Sequence, residues 1–182
     1  MGEKTIGILG GMGPEATADL YYRIVKATPV ERDQDHPRTI IYSNSKVPDR
    51  TPAITGGGES PLPEILMAAR SLEGAGSDFL IIPCNTAHYF IEELRDELGI
   101  PVLHMIEMTA RHVAREYPDA KSVGLIATDG TLSSGIYERF FGEAEMLVLV
   151  PKADLQSSAM DAIYNHIKKG DLETGRKISL DV

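Results

Sequence analysis

The stretch KTIGILGGMGPEATADLYYRIVKAT, residues 4–28, contains the pattern from which the rest of the fold follows. Its first seven residues are mostly apolar and lead into a run of glycines, which predicts a β-strand over residues 4–10. Pro14 comes directly after the glycines, where a proline suits the first turn of a helix, and this helix is predicted over residues 14–28. A strand that passes through a tight turn into a helix is the repeating unit of an α/β protein.

The same alternation continues along the chain. Residues 38–45 and 78–84 predict two more strands, and the unbroken apolar run of the later one is typical of a strand buried on both faces. Helices are predicted over residues 60–76 and 85–99, and a fourth strand over residues 100–105. Strands that alternate with helices of this length form a parallel sheet flanked by helices. Ligands of such sheets bind beyond the carboxyl ends of the strands.

A second copy of the opening pattern stands in KSVGLIATDGTLSSGIYERFF, residues 121–141. Lys4 and Gly7 match Lys121 and Gly124 at a constant offset (121 − 4 = 117). Because many strand-to-helix turns contain glycine, a chance match is the alternative to a true duplication. The duplication predicts two similar α/β lobes, residues 1–104 and 105–182.

Charge and hydropathy exclude several classes of protein. The formal net charge of −9 leaves no basic stripe that could neutralise phosphates, so we expect no nucleic-acid partner. No apolar run approaches the roughly 20 residues that cross a bilayer, so no membrane is expected. The first residues, MGEKTIGILGG, lack the basic and long apolar regions of a secretory signal.

The chain contains one cysteine, Cys84, and five histidines. One cysteine cannot form an internal disulfide, which fits a reducing cytoplasm. It also excludes zinc sites with several cysteines, and the histidines show no close metal-binding spacing with carboxylates. We therefore expect a cytoplasmic protein without a metal.

The first turn, GGMGPEA at residues 10–16, has the glycine spacing of a dinucleotide-binding turn. That class also needs an acidic residue at the end of the second strand, for the ribose hydroxyls. Residues 42–45 read YSNS here, so dinucleotide binding is not favoured. Two interpretations stay open: a tight turn whose glycines permit a close approach, or a nest of backbone N–H groups that receives a carboxylate.

A long connection, residues 44–61, separates the second strand from its helix. Connections of this length are functional lids or disordered segments. Arg50 lies within it between two prolines, Pro48 and Pro52. The side chain is either an ordinary surface charge or a fork that binds a substrate carboxylate.

Cys84 follows Pro83 at the end of the third predicted strand, and Asn85 and Thr86 come next. A free cysteine is commonly buried and inert. At a strand end before a helix, however, the N–H groups and the positive dipole end would stabilise a thiolate, which favours a reactive thiol. His88 lies one helical turn further on and either backs the site or caps the helix surface.

The segments GILGGMGPEAT and PCNTAH together resemble the aspartate/glutamate racemase family, and within it the aspartate racemase branch. The resemblance extends over the chain through VPDRT, GLIATDGT and IYNHIKKGD. Glutamate racemases are similar at a greater distance, because their first turn contains an acid where this chain has Gly-Gly-Met-Gly.

The resemblance implies a racemase that needs neither pyridoxal phosphate nor any other cofactor, and a homodimer. Two pseudo-symmetric lobes, each a parallel sheet flanked by helices, would enclose the active site in the cleft between them. One cysteine thiolate would remove the α-proton of an acidic amino acid, and a second thiol would protonate the opposite face.

Site residues follow from the matching motifs. Cys84 would be the first acid/base. Arg50 would bind the side-chain carboxylate of the substrate, and Lys168 would lie near the site, although the adjacent Lys169 is an alternative. The residues implied to bind substrate are Met12, Gly13, Arg50, Asn85, Thr86, Thr128, Thr131 and Lys168, with the asparagine and the threonines at the α-carboxylate and amino group.

The sequence departs from the family pattern at the second thiol. The duplication places the partner of Cys84 at position 84 + 117 = 201, beyond Val182. Family members continue there through a strand that ends in a Cys-Thr-Glu motif, so the second lobe is expected to be incomplete. The chain is then either a fragment or a natural short form.

Three functions stay open at this point. The first is an aspartate racemase, seen wholly or in part. The second is a one-cysteine isomerase or decarboxylase that acts on a dicarboxylate. The third is a non-catalytic binder of acidic amino acids.

Overall fold

The computed structural model describes residues 3–182 and has a mixed α/β fold, in which parallel strands are flanked by helices, as predicted. The strands are β1 (Ile6–Gly10), β2 (Thr39–Ser43), β3 (Phe79–Ile81), β4 (Ser122–Gly124) and β5 (Leu147–Leu149). The helices of the first hundred residues are α1 (Pro14–Ala27), α2 (Arg50–Thr55), α3 (Leu62–Gly74) and α4 (Ile91–Glu97). Those that follow are α5 (Met105–Glu116), α6 (Asp129–Ser133), α7 (Ile136–Gly142), α8 (Ala153–Asp161) and α9 (Leu172–Leu180).

The chain separates into two compact units. The first comprises the residues up to Asp49 together with Glu59–His104, and the second comprises Arg50–Gly58 and Met105–Val182. The segment Arg50–Gly58 thus belongs by its contacts to the second unit, although it lies between two elements of the first. Nothing in the sequence indicated that this segment belongs to the second unit.

The sheet of the first unit has the order β2-β1-β3, and both pairs are parallel. The predicted fourth strand over residues 100–105 is wrong as a strand, because only Val102 forms a bridge, to Leu80 of β3. The N–H of Leu80 donates to the carbonyl of Pro101, and the N–H of Leu103 donates to that of Leu80. A proline at position 101 donates no hydrogen bond, which limits pairing at this point.

The core of the first unit lies between this sheet and the helices that follow its strands. Its most buried side chains contribute about 1.5–3 kcal/mol each by leaving water. They are Ile8, Leu9, Ile65, Leu72, Leu80, Ile91 and Leu94. The central strand β1 is therefore buried from both sides, as its apolar sequence indicates.

The second unit has its own parallel pair, β4 and β5, with Val123 opposite Val148. Helices α5 and α7 pack on this pair around a separate apolar cluster. Its buried members are Ile106, Ala110, Phe140, Phe141 and Met146.

The duplicated pattern holds at the strand and changes after it. Strand β4 begins directly after Lys121, and Gly124 occupies the place of Gly7 at the 117-residue offset. Helix α1 is continuous, whereas its counterpart is divided into α6 and α7 by Gly135, whose φ is +65°. A Cβ at Gly7 would collide with Leu80, while one at Gly124 would meet open space among the described residues. A true duplication stays a prediction.

Neither a membrane-spanning helix nor a cluster of metal ligands is present in residues 3–182. No helix there is long and apolar enough to cross a membrane. In the same part of the chain, no three histidine, cysteine or acidic side chains are grouped so that they could hold a metal ion.

Candidate active site

The carboxyl ends of the three strands of the first unit carry the first group of site residues. Gly10 at the end of β1 pairs with Ser43 at the end of β2, and Ile8 pairs with Ile81 of β3. Continued by two residues, the second register sets Gly10 opposite Pro83, so Cys84 follows at the same edge. The first turn, the start of the long connection and the thiol therefore share one edge of the sheet, where ligands of parallel sheets bind.

The glycine turn after β1 has a structural reason. Gly11 has a φ of +93°, and a side chain there would collide with the backbone of Asn44. Its N–H donates to the hydroxyl of Thr17 at 2.9 Å, and this hydroxyl donates to the carbonyl of Gly13 at 3.0 Å. The N–H of Gly11 is thus used within the turn, which supports the close-approach interpretation at this residue. Of the two predicted binding residues here, Met12 is buried and Gly13 precedes helix α1.

Asn44 is a polar residue of this edge that sequence reasoning passed over. Its side chain is buried, donates to Glu64 at 2.8 Å and accepts from the N–H of Lys46 at 3.0 Å. Its own N–H donates to the carbonyl of Gly10 at 3.2 Å. Asn44 therefore holds the start of the long connection against the glycine turn. The signal in the sequence was an asparagine at the end of a predicted strand.

Cys84 is buried at the end of the third strand segment, with 9% of its surface exposed. The single helix predicted over residues 85–99 is instead a five-residue 3₁₀ helix, Thr86–Phe90, followed by α4. The thiol hence precedes a short 3₁₀ turn and not an α-helix. The predicted stabilisation of a thiolate by an α-helix dipole is therefore weak. Asn85 and Thr86 open this turn, and Thr86 is buried.

His88 is fully buried, so it does not cap a helix surface and instead backs the thiol segment. Its Nδ1 lies 2.8 Å from the backbone carbonyl oxygen of Cys84. Since a carbonyl only accepts, Nδ1 carries the proton and donates. In an α-helix this carbonyl would accept from the backbone N–H of residue 88, but that N–H donates to Asn85 at 3.0 Å. The imidazole replaces the missing backbone donor.

His104 is a second buried histidine at this place, and sequence reasoning assigned it no role. Its ring centroid lies 5.0 Å from that of His88. It follows the segment that pairs with β3 through Val102, so two neighbouring strand ends bring the rings together. The signal in the sequence was a histidine close to the end of each of two neighbouring strand segments, His88 and His104.

Burial lowers the pKa of His88 to about 4. The hydrogen bond to the carbonyl of Cys84 acts in the opposite direction, and the nearby charges of His104 and Arg95 lower the pKa further. His88 is therefore neutral at physiological pH, and it is a weak base there.

The low pKa of His88 should make the stability of the protein depend on pH. A histidine in the unfolded chain takes up a proton near pH 6.5, whereas folded His88 does so only near pH 4. Between these values the unfolded chain binds more protons, so the free energy of unfolding falls as the pH falls. We expect a loss of about 2 kcal/mol from His88 between pH 7 and pH 5.

Urea unfolding of the wild type and of His88→Gln at both pH values measures this contribution. In His88→Gln, the fall in the free energy of unfolding between pH 7 and pH 5 should be smaller than in the wild type by about 2 kcal/mol. This difference does not depend on the stability of the variant at pH 7. His112→Gln, which alters an exposed histidine, is the control and should follow the wild type. An unchanged pH dependence in His88→Gln would show that this residue titrates normally.

The second group of site residues belongs to the second unit. Arg50 begins helix α2 and has 8% of its surface exposed, so its interpretation as a surface charge is wrong. The prediction of disorder is likewise wrong for residues 50–55, which are helical. Helix α2 packs on α6 so closely that a Cβ at Gly130 would come 2.7 Å from the Cα of Thr51. Gly130 thus permits the contact that fixes the helix of Arg50.

Thr128 and Thr131 form the start of helix α6. The hydroxyl of Thr128 accepts from the N–H of Thr131 at 3.3 Å, and the two hydroxyls lie 3.1 Å apart. Thr131 is fully buried. Gln156 holds this turn from α8, since its Nε2 donates to the carbonyl of Ala127 at 3.0 Å and to the carboxylate of Asp129 at 2.7 Å. Sequence reasoning missed Gln156, and no local pattern marks it.

The two candidate lysines differ in their surroundings. The ammonium of Lys168 lies 3.6 Å from the ring centroid of Tyr164, whose hydroxyl donates to Thr51 at 3.0 Å. Lys169 donates to Asn165 instead. Tyr164 belongs to a π-helical turn, a local form that is common at functional sites. Of the two lysines, Lys168 is connected to the helix of Arg50, which supports its choice.

The predicted site residues therefore fall into two sets, each described within its own unit. Met12, Gly13, Cys84, Asn85 and Thr86 belong to the first unit. Arg50, Thr128, Thr131 and Lys168 belong to the second. Their assignment to a substrate stays a prediction.

The one cysteine of the chain thus lies at the carboxyl edge of the parallel sheet of the first unit, directly before Asn85 and Thr86 in the sequence. The family model of Asp/Glu/hydantoin racemases matches residues 9–181. The chain belongs to this family.

Curated relatives are similar over part of their length. The broad specificity amino-acid racemase RacX of Bacillus subtilis (strain 168) is 33% identical over 144 residues, which cover 74% of this chain and 59% of that protein. A glutamate racemase of Aquifex aeolicus (strain VF5) is 38% identical over 106 residues, or 58% of this chain and 39% of that protein. The chain thus spans less than two thirds of the length of these relatives.

Solved structures agree with the fold. An aspartate racemase of Picrophilus torridus superposes with a TM-score of 0.86 at 33% identity, covering 96% of this chain and 72% of that one. An aspartate racemase homologue from Pyrococcus horikoshii OT3 has a TM-score of 0.72 at 24% identity, covering 94% and 74%. The second likeness supports the fold alone.

Proposed function

We propose that the chain is a racemase for an acidic amino acid, that it interconverts L- and D-aspartate without a cofactor, and that Cys84 transfers the α-proton. The observation that carries the proposal is the single cysteine at the carboxyl edge of the sheet, in a chain of the Asp/Glu/hydantoin racemase family.

The chemistry needs a base on one face of Cα and an acid on the other. A thiolate takes the α-proton and becomes a thiol, and the electron pair of the C–H bond moves toward the α-carboxylate. Donors that converge on this carboxylate stabilise the developing charge. Asn85, Thr86, Thr128 and Thr131 are residue types that provide such donors. Return of a proton to the same face restores the substrate, and delivery to the opposite face inverts it.

Aspartate is the proposed substrate on two grounds. The chain is similar to an aspartate racemase over 96% of its length, and Arg50 supplies a fork of donors that fits a second carboxylate. RacX, a broad specificity racemase, is about as similar in sequence, so a wider range of substrates is the competing assignment.

A one-thiol reaction is the second candidate, since the described residues supply the thiol for one face only. Cys84 is the only thiol in the 182 residues, so these residues provide one sulfur for one face of Cα. A dicarboxylate isomerase or decarboxylase needs only such one-sided protonation. The two-thiol mechanism that the resemblance implies needs a second cysteine for the other face.

Incubation of the chain with L-aspartate in deuterated water separates the candidates. A racemase gives D-aspartate that carries deuterium at Cα. Removal and return of the proton on one face gives deuterated L-aspartate, and a decarboxylase gives a new product. A chain that binds aspartate in calorimetry and yields none of these is a binder, which would contradict the proposal.

The remaining properties stay predictions. These are a cytoplasmic location, a homodimer, and the absence of a cofactor and of a nucleic-acid partner. Sedimentation of the purified chain tests the homodimer.

A further inference from the structure

His88 and Cys84 are linked in a way that the proposed function does not use. Cysteine and histidine four residues apart can form a proton-transfer pair, in which the imidazole activates the thiol. Here the protonated ring nitrogen, Nδ1, points at the backbone carbonyl of Cys84 at 2.8 Å. The contact is made to the peptide group, so the ring acts on the position of residue 84.

The surroundings of the ring support a fixed, neutral imidazole. His88 has no exposed surface, and the ring of His104 packs against it at 5.0 Å with a tilt of 56°. Desolvation of this kind opposes a positive charge on the ring. A ring that stays neutral and keeps one orientation is suited to hold a neighbour in place.

The local backbone explains why a side chain is needed. The chain leaves β3, passes Pro83 and enters a 3₁₀ turn, in which the N–H of His88 donates to Asn85. A continuous α-helix would have used that N–H to fix the carbonyl of Cys84. In the 3₁₀ turn this N–H is used elsewhere, and the imidazole donates to the carbonyl of Cys84 in its place.

We propose that His88 is a positioning residue, which holds the carbonyl of Cys84 and thereby sets the direction of the thiol, and which exchanges no proton with the substrate. The inference rests on the proposed function, since it assigns His88 to the placement of the acid/base that this function requires.

Two substitutions distinguish positioning from proton transfer. His88→Asn keeps an N–H donor close to the place of Nδ1 but cannot titrate, whereas His88→Leu removes the donor. We expect His88→Leu to lower kcat for α-hydrogen exchange by about tenfold with little change in KM, as expected for one lost hydrogen bond. His88→Asn should recover kcat to within about threefold of the wild type. An equal loss in both variants would assign proton transfer to His88 and overturn the proposal.

Alkylation of Cys84 by iodoacetamide gives a readout that does not depend on catalysis. It reports a single site, because the chain has no other cysteine. We expect the thiol to react several times faster in His88→Leu, where its segment is released, and at the wild-type rate in His88→Asn. His112→Leu is the matched control at an exposed histidine and should change neither measurement. Wild-type rates of alkylation and exchange in His88→Leu would overturn the proposal.

Failure of the proposed function gives a different result. A wild-type chain that exchanges no α-hydrogen refutes that function, and alkylation still tests the placement of the thiol. Should His88→Leu not fold, nitrogen NMR of the wild type decides: the inference requires a neutral His88 ring with its proton on Nδ1 at pH 7. A proton on Nε2, or a charged ring, would overturn it.

Discussion

Replacement of Cys84 by serine should lower the rate of α-hydrogen exchange in aspartate by at least about a thousandfold, and leave the affinity for aspartate within about threefold. General acid–base groups contribute factors of about 10²–10⁴, and a hydroxyl forms its anion far less readily than a thiol. Serine has nearly the same shape, so the fold and the donors around the substrate should persist. Deuterium incorporation by mass spectrometry gives the rate, and calorimetry gives the affinity.

A chemical control accompanies this variant. Iodoacetamide should inactivate the wild type to the same extent as the substitution, because Cys84 is the only thiol. The same treatment should leave the remaining activity of Cys84→Ser unchanged. More than about a tenth of the wild-type exchange rate in the variant would show that another group removes the α-proton.

Much of the fold could be predicted from the sequence because its elements are locally determined. Helix α1 begins at Pro14, as predicted, and β1 ends at the glycines. Strand ends were predicted less well: the segment after Gly99 forms one bridge instead of a strand, since pairing depends on partners distant in sequence. The helix predicted over residues 85–99 begins with a 3₁₀ turn, and no residue pattern distinguishes that turn from an α-helix.

The long connection shows most clearly what local reasoning cannot reach. Its length indicated a lid or a disordered segment, yet Arg50–Thr55 is a helix. The helix is stabilised by contacts with residues far along the chain, through Gly130 and through the hydroxyl of Tyr164. Tertiary packing of this kind leaves no periodic signal in a six-residue segment.

The residues of the candidate site also differ in whether the sequence could predict them. The position of Cys84 at a strand end followed from the sequence, because the carboxyl edge of a parallel sheet is a general binding place. The roles of Asn44, His104 and Gln156 did not, since each depends on a partner at another strand end or on another helix. Sequence motifs can thus predict the residues that contact a substrate. The residues that hold them in place are identified only from contacts in the structure.

Replacement of Arg50 by methionine should weaken the binding of aspartate by at least about 100-fold and change the binding of alanine by less than about threefold. A guanidinium donates two charge-assisted hydrogen bonds to a carboxylate, and hydrogen bonds to charged groups contribute roughly 1.5–3 kcal/mol each. Alanine has no side-chain carboxylate, so it does not use this interaction. Methionine keeps an unbranched apolar stem at this buried position and limits the loss of packing.

Arg50→Lys is the matched variant, since it keeps the positive charge but loses the planar fork. It should bind aspartate with an affinity between those of the wild type and Arg50→Met. Calorimetry with both amino acids gives the two affinities, and thermal unfolding of each variant shows whether helix α2 still packs in the second unit. Equal losses for aspartate and alanine would mean that Arg50 supports the fold. Unchanged binding of aspartate in a folded Arg50→Met would refute a carboxylate site at this residue, and with it the main structural ground for a dicarboxylate substrate.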